Sequence, residues 1–238
     1  MMRKQIGRSF SGESIKPAVQ SQDAHGQGIP LWVFYAGTIG LILAFVMAIF
    51  ALYPPPEKGT IARPWEDIAP PITNESRNRN PDLYNAVLDQ FSVSINPRYR
   101  KNQQSENETY CNIFVWDVTK AMGVEIPHWV DENGRSVPQF SGTEQGANDM
   151  VDWLEKFGGD KGWRKIDVEA AQAMANLGMP VVATWMNPGG IGHIAMVRPG
   201  RMSEKDGPAL AQAGAINSNH TTVGEMFGDK EVIYFYHD

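Results

Sequence analysis

The longest apolar run in the chain is residues 29–53, "IPLWVFYAGTIGLILAFVMAIFALY", which contains no charged side chain. A helical rise of about 1.5 Å per residue carries Leu31 to Tyr53 across roughly 34 Å, enough for a hydrocarbon core of about 30 Å. Trp32 and Tyr35 near one end, and Phe50 and Tyr53 near the other, suit the two membrane interfaces. The run is longer than the apolar region of a signal peptide, and "ALYPPP" offers no small-x-small cleavage site. It predicts one uncleaved transmembrane helix. Arg3, Lys4, Arg8 and Lys16 precede it, whereas Lys58 and Arg63 follow it closely. That excess places the N-terminus on the cytoplasmic side and the remainder outside, anchored in the cytoplasmic membrane by a single pass.

Away from this run the pattern is that of a water-soluble chain. Residues 1–28 are polar and without periodicity, a flexible cytoplasmic tail. Residues 54–81 are dense in proline, which favours extended polyproline-like chain, and predict a semi-rigid spacer. From 82 to 238 two periods alternate. Leu83, Val87, Leu88 and Phe91 recur at helical spacing behind Pro81 and Asp82. Cys111, Phe114, Val115, Val118 and Met122 do the same, with Gly123 closing the helix and Thr109 placed to cap it. "GANDMVDWLEKFGG" and "DVEAAQAMANLG" read as two more helices. The period then changes. "MPVVATWM" and "GHIAMVRP" are β-branched runs joined by the Gly-rich "NPGGIG", a hairpin, and "ALAQAGAIN" and "EVIYFYHD" read as further strands. Helices first and an antiparallel sheet afterwards define an α+β domain over 82–238.

Composition narrows the function classes. Hydrophobic residues make up 42% and charged residues 20%, so a packed core is expected rather than wholesale disorder. Net charge is −6 and no basic run is interleaved with aromatics, which argues against a nucleic-acid partner. No HExxH or paired-histidine motif occurs, and "DENGRS" (Asp131 to Ser136) lacks the spacing of a calcium loop. Neither an obligatory metal nor a cofactor is expected.

The one cysteine, Cys111, has no partner for an intrachain disulfide or a CxxC zinc site. It is either a small core residue or a nucleophile. Its place in the first turn of a helix favours a thiolate, because the helix N-terminus carries partial positive charge and unsatisfied N–H groups. A nucleophile there would be exposed at the helix end. A nucleophile also needs a base, and His193 opens a strand directly behind the glycines of "NPGGIG". His220 lies in a polar loop, and His128 in "IPHWV" reads as a groove-lining or surface residue.

"TYCNIFVWDV", followed far downstream by "GIGHIAMVRPG", resembles the papain-like peptidoglycan hydrolases of the NlpC and CHAP type. In those families a Cys opens a helix and its partner His stands in a "GHxxxV" strand. The resemblance covers about 130 residues, from Glu108 to the C-terminus. It implies a papain-like domain in which Cys111 attacks an amide and His193 moves the proton, with peptidoglycan stem peptides as partner. A third polar residue orients the imidazole in such enzymes; Gln212 stands in the right element, with Asn217 and Asn219 as alternatives. The oxyanion would rest on the Cys111 backbone N–H and a second donor, Tyr110 or Asn112. Tyr110, Asn112, His128 and Trp129 are the substrate-binding candidates. The Cys-to-His distance is long for this family, implying inserted helices around 140–178. Two other functions fit the same features: a membrane-anchored wall-binding or scaffolding domain without turnover, and a cysteine amidase or protease acting on another amide.

Overall fold

A computed structural model describes residues 66–101 and 108–238. The predicted tail, the transmembrane run 29–53 and the first part of the spacer lie outside the described residues. Among the described residues no helix is long and apolar enough to cross a membrane.

Helix α1 (Pro81–Gln90) starts where the sequence signals it. Asn80 Oδ1 accepts the Leu83 N–H at 2.8 Å, and Pro81 occupies the first turn, where its missing N–H costs nothing. Helix α2 (Cys111–Ala121) is closed by Gly123 at φ +72°. Its expected cap is absent: the N-cap is Tyr110, and no side chain bonds the first N–H groups. Strands β1 (Trp129–Val130) and β2 (Thr143–Glu144) pair as a small antiparallel ribbon ahead of α3 (Ala147–Trp153), whose last turn widens into a π turn, Leu154–Gly158. Then come β3 (Trp163–Ile166), α4 (Val168–Asn176), β4 (Val181–Trp185), β5 (His193–Val197), β6 (Ala209–Gln212), β7 (Ser218–Thr222), α5 (Val223–Phe227) and β8 (Ile233–His237).

Six of these strands form one sheet in the order β3-β8-β4-β5-β6-β7, antiparallel at every pairing. The domain is therefore α+β with an antiparallel sheet, as the change of period predicts. At its centre, β4 and β5 are buried at nearly every position, so both faces are covered. This is why "VVAT" and "HIAMV" read as apolar runs rather than alternating ones. Helices α2, α3 and α4 all pack against β5.

Four elements depart from expectation. "ALAQAGAIN" is a strand only to Gln212; residues 213–217 then turn, because Gly214 and Asn217 close a loop in which Asn217 Oδ1 accepts the Gly214 N–H at 2.9 Å. Strand β3 and strand β7 carry too few apolar positions to announce themselves, being edge strands with one face in solvent. Residues 66–80, which their prolines assign to the spacer, lie along the domain instead. The Asn74 N–H reaches Ala121 O at 3.0 Å, Gln90 bonds both backbone groups of Ile72, and Arg79 Nη1 donates to Met122 O at 2.8 Å.

Candidate active site

The sheet and α2 bring Cys111, His193 and Gln212 together. Cys111 is the first residue of α2, His193 the first of β5 and Gln212 the last of β6. Because β5 and β6 run antiparallel, the start of one lies beside the end of the other. The pairing of β6 with β7 shifts between Leu210 and Gln212, a bulge of the kind that re-aims a side chain at a strand end. Gly214 leaves room for the imidazole: a Cβ there would sit 3.1 Å from His193 Cε1. The Phe227 ring packs on the imidazole, centroids 4.9 Å apart.

The proton positions follow from the partners. Gln212 Nε2 donates to the Ile216 carbonyl at 2.6 Å. A carbonyl can only accept, so the amide nitrogen faces it and Oε1 faces the histidine. Oε1 lies 2.5 Å from His193 Nε2, so Nε2 carries a hydrogen. Nδ1 is left with a lone pair for the Cys111 thiol, which is hydrogen-bonded to His193. This is the tautomer a general base needs.

Electrostatics pushes the same way. Burial by itself would raise the thiol pKa and lower that of the imidazole. For Cys111 burial is opposed by the His193 hydrogen bond and charge, and by the backbone N–H groups of Ile194 and Asn112, and the net shift is downward. For His193 burial is opposed by Cys111 and Gln212, and the net shift is upward. Both shifts favour thiolate and imidazolium, a pair whose protons titrate together.

Cys111 is not exposed at the helix end. It retains 2% of its surface, beside the half-buried His193, because β5 packs along α2 and Asn112 ties the segment before α3 to its first turn. The other candidates have different tasks. Asn112 Nδ2 donates one of its two hydrogens to Gln145 O at 2.9 Å. The Tyr110 hydroxyl bonds Glu108, and the ring is buried. Asn217 Nδ2 reaches Tyr99 O at 2.7 Å, and Asn219 donates to Asp89 at 3.1 Å; neither touches His193.

His128 is not on the surface. It is fully buried between Trp116 and Trp129, ring centroids 5.1 and 5.7 Å away. Glu144 Oε1 lies 3.0 Å from Nε2, yet neither ring nitrogen has a hydrogen-bond partner of good geometry. Burial pushes the pKa down to about 4, so at neutral pH the ring is uncharged and the contact is not an ion pair. Trp129 is one wall of a cleft of about 440 Å³ with Trp116, Lys120, Glu125 and Gln139. Cys111, His193 and Gln212 are not among its lining residues. Among the described residues no cluster of His, Cys, Asp and Glu could hold a metal ion.

Two further residues hold the site and were not singled out by the sequence. Trp185 is the cross-strand partner of His193, half-buried, with Lys230 Nζ 4.8 Å above its ring. Asn148, at the start of α3, bonds the "NPGGIG" turn. A half-buried Trp ending a strand opposite a candidate His is a usable signal; Asn148 carried none, because its partners are 39 and 42 residues away.

No model of a known protein family matches the chain, and no curated protein matches it.

Proposed function

We propose that this chain is a papain-like thiol hydrolase of the NlpC and CHAP type, cleaving an amide bond in peptidoglycan from a membrane tether. What carries the reading is the hydrogen-bonded line Cys111–His193–Gln212, delivered by a helix start, a strand start and a strand end. In the reaction, the Cys111 proton passes to His193 Nδ1 and Sγ bonds the amide carbonyl carbon. The C–N bond then breaks as Nδ1 returns the proton to the departing amine. Water, deprotonated by the same nitrogen, attacks the thioester and restores the thiol. The Cys111 backbone N–H at the uncapped start of α2 is the oxyanion donor. Gln212 keeps Nε2 protonated and the ring in plane throughout. The predicted helix 29–53 would hold the domain at the outer face of the membrane, beside its substrate.

Incubating the full chain with purified peptidoglycan, and identifying products by mass spectrometry, tests this directly. Fragments with new amino and carboxyl ends are expected from the wild type and not from Cys111→Ser. Absence of new ends with the wild type would overturn the reading. The near-complete burial of Cys111 favours one rival, a domain that binds the wall without turnover. It predicts co-sedimentation with peptidoglycan, no products, and indifference to Cys111→Ser.

A further inference from the structure

The histidine arrives on a loose connection. Seven residues, 186–192, join β4 to β5, and three of them are glycine. Glycine loses more backbone freedom on ordering than any other residue, so this turn does not fix His193 by its own propensity. Internal bonds help: the Gly190 N–H reaches Asn187 O at 3.1 Å, and Asn187 Nδ2 donates to Ile191 O at 3.1 Å. Those bonds shape the turn without tying it to anything else.

Asn148 supplies the tie. Its Nδ2 donates to Asn187 O and to Gly190 O, both at 2.9 Å, and its Oδ1 accepts the Asn187 N–H at 3.0 Å. Every donor of the amide is used on the turn. The turn is drawn so close that a Cβ on Gly192, the residue before His193, would lie 2.2 Å from Asn148 Oδ1 and 2.6 Å from Trp185 O. Three residues upstream, Gln145 O accepts from Asn112, the neighbour of Cys111 on α2. The segment Gln145–Asn148 is thus bonded at one end beside the thiol and at the other beside the imidazole.

We propose that this segment is a bracket that sets the spacing of Cys111 and His193, with Asn148 as a positioning residue for the pair. The proposal rests on the thiol–imidazole reading of the site. Asn148 touches neither reacting group; it acts through the turn that presents His193. Loss of its two donors lets the turn and the ring drift, and weakens the hydrogen bond that offsets the burial of the thiol.

The test is the thiolate absorbance of the full chain followed against pH, with Cys111→Ser subtracted so that only the single thiol contributes. Asn148→Ala, and Asn148→Asp, which keeps the acceptor and the volume but loses both donors, are each expected to raise the thiolate midpoint by roughly one unit, a tenfold weaker bias toward the ion pair. Both are expected to fold, because the turn is largely solvent-facing and its carbonyls regain water. Asp167→Ala is the control. It removes an equivalent helix-start bond, the one the Ala170 N–H donates to Asp167 Oδ1 at 2.7 Å at the start of α4, outside both the bracket and the turn. Its midpoint should match the wild type. An unchanged midpoint in the Asn148 variants, an equal rise in Asp167→Ala, or loss of the fold in both Asn148 variants would each overturn the bracket. A wild-type midpoint at the ordinary thiol value would instead remove the reading on which it rests.

Discussion

His193 and His128 are both held in the protein interior and lie at opposite ends of the chemical scale. His193 has a partner on each nitrogen, and its pKa is raised in spite of burial. His128 has two aromatic neighbours, no well-formed hydrogen bond, and a pKa pushed down to about 4. Burial opposes charge equally in kind at both sites. What separates them is that β6 and α2 deliver an acceptor and a thiol to one ring, whereas α2 and the ribbon β1–β2 deliver two indole rings and a Glu144 carboxylate without hydrogen-bond geometry to the other. A buried histidine becomes a base when its second nitrogen is spent on orienting it.

The largest expected effect separates the two by chemistry. His193→Ala should lower amide hydrolysis by at least about a thousandfold, as removal of the base from a nucleophile–base pair does. His128→Ala should leave the thiolate titration of Cys111 unchanged and cost about 3 kcal/mol of stability in denaturant unfolding, the usual range for emptying a buried ring site. Equal loss of hydrolysis in the two variants, at matched folded fraction, would erase the distinction.

Acid should then destabilise the protein through His128. Its folded pKa of about 4 lies below the ordinary value of 6.5, so between these limits the unfolded state binds more protons. Its contribution is whole above pH 6.5 and is lost progressively as pH falls through 4, amounting to about 3 kcal/mol at full loss. His128→Phe, which fills the same space without titrating, should remove that part of the slope. A slope unaltered by the replacement would mean that the ring is protonated in the folded protein.

Gln212→Ala should reduce hydrolysis roughly ten- to a hundredfold, because the tautomer and orientation of His193 are no longer imposed. A variant with the wild-type rate would show that Gln212 serves the Ile216 turn alone. The smallest effect belongs to Glu144→Gln. The carboxylate is 56% exposed and faces an uncharged ring, so stability at neutral pH should change by less than about 0.5 kcal/mol. A larger loss would indicate a charged His128 after all.

The difference between these histidines was only partly legible in the sequence. His193 was marked by its place behind the glycines of "NPGGIG" at the head of an apolar strand, and Cys111 by its place at the head of an apolar helix. Both signals are local, as are Pro81 at the start of α1 and the closing glycines of the helices. Burial is not local. Cys111 reads as an exposed end because nothing in its own helix covers it; the cover comes from β5 and the segment before α3. His128, in "IPHWV", reads as a surface residue because the tryptophan that encloses it lies twelve residues earlier on α2. Gln212 is set apart from Asn217 and Asn219 in the sequence only by standing within the strand run, and the strand ends at it, ahead of the turn at Gly214. The packing of 66–80 was hidden by prolines, which report the extended backbone of that stretch and not what it lies against.

The central claim is that Cys111 and His193 are a hydrogen-bonded pair whose mutual contact outweighs burial and biases them toward thiolate and imidazolium. The most direct measurement is the ultraviolet titration of the single thiolate in the folded full chain, with Cys111→Ser as the reference. The expected midpoint lies below the ordinary thiol value of about 8.5 and moves upward in His193→Ala. A midpoint at or above that value in the wild type, as burial alone would produce, would contradict it.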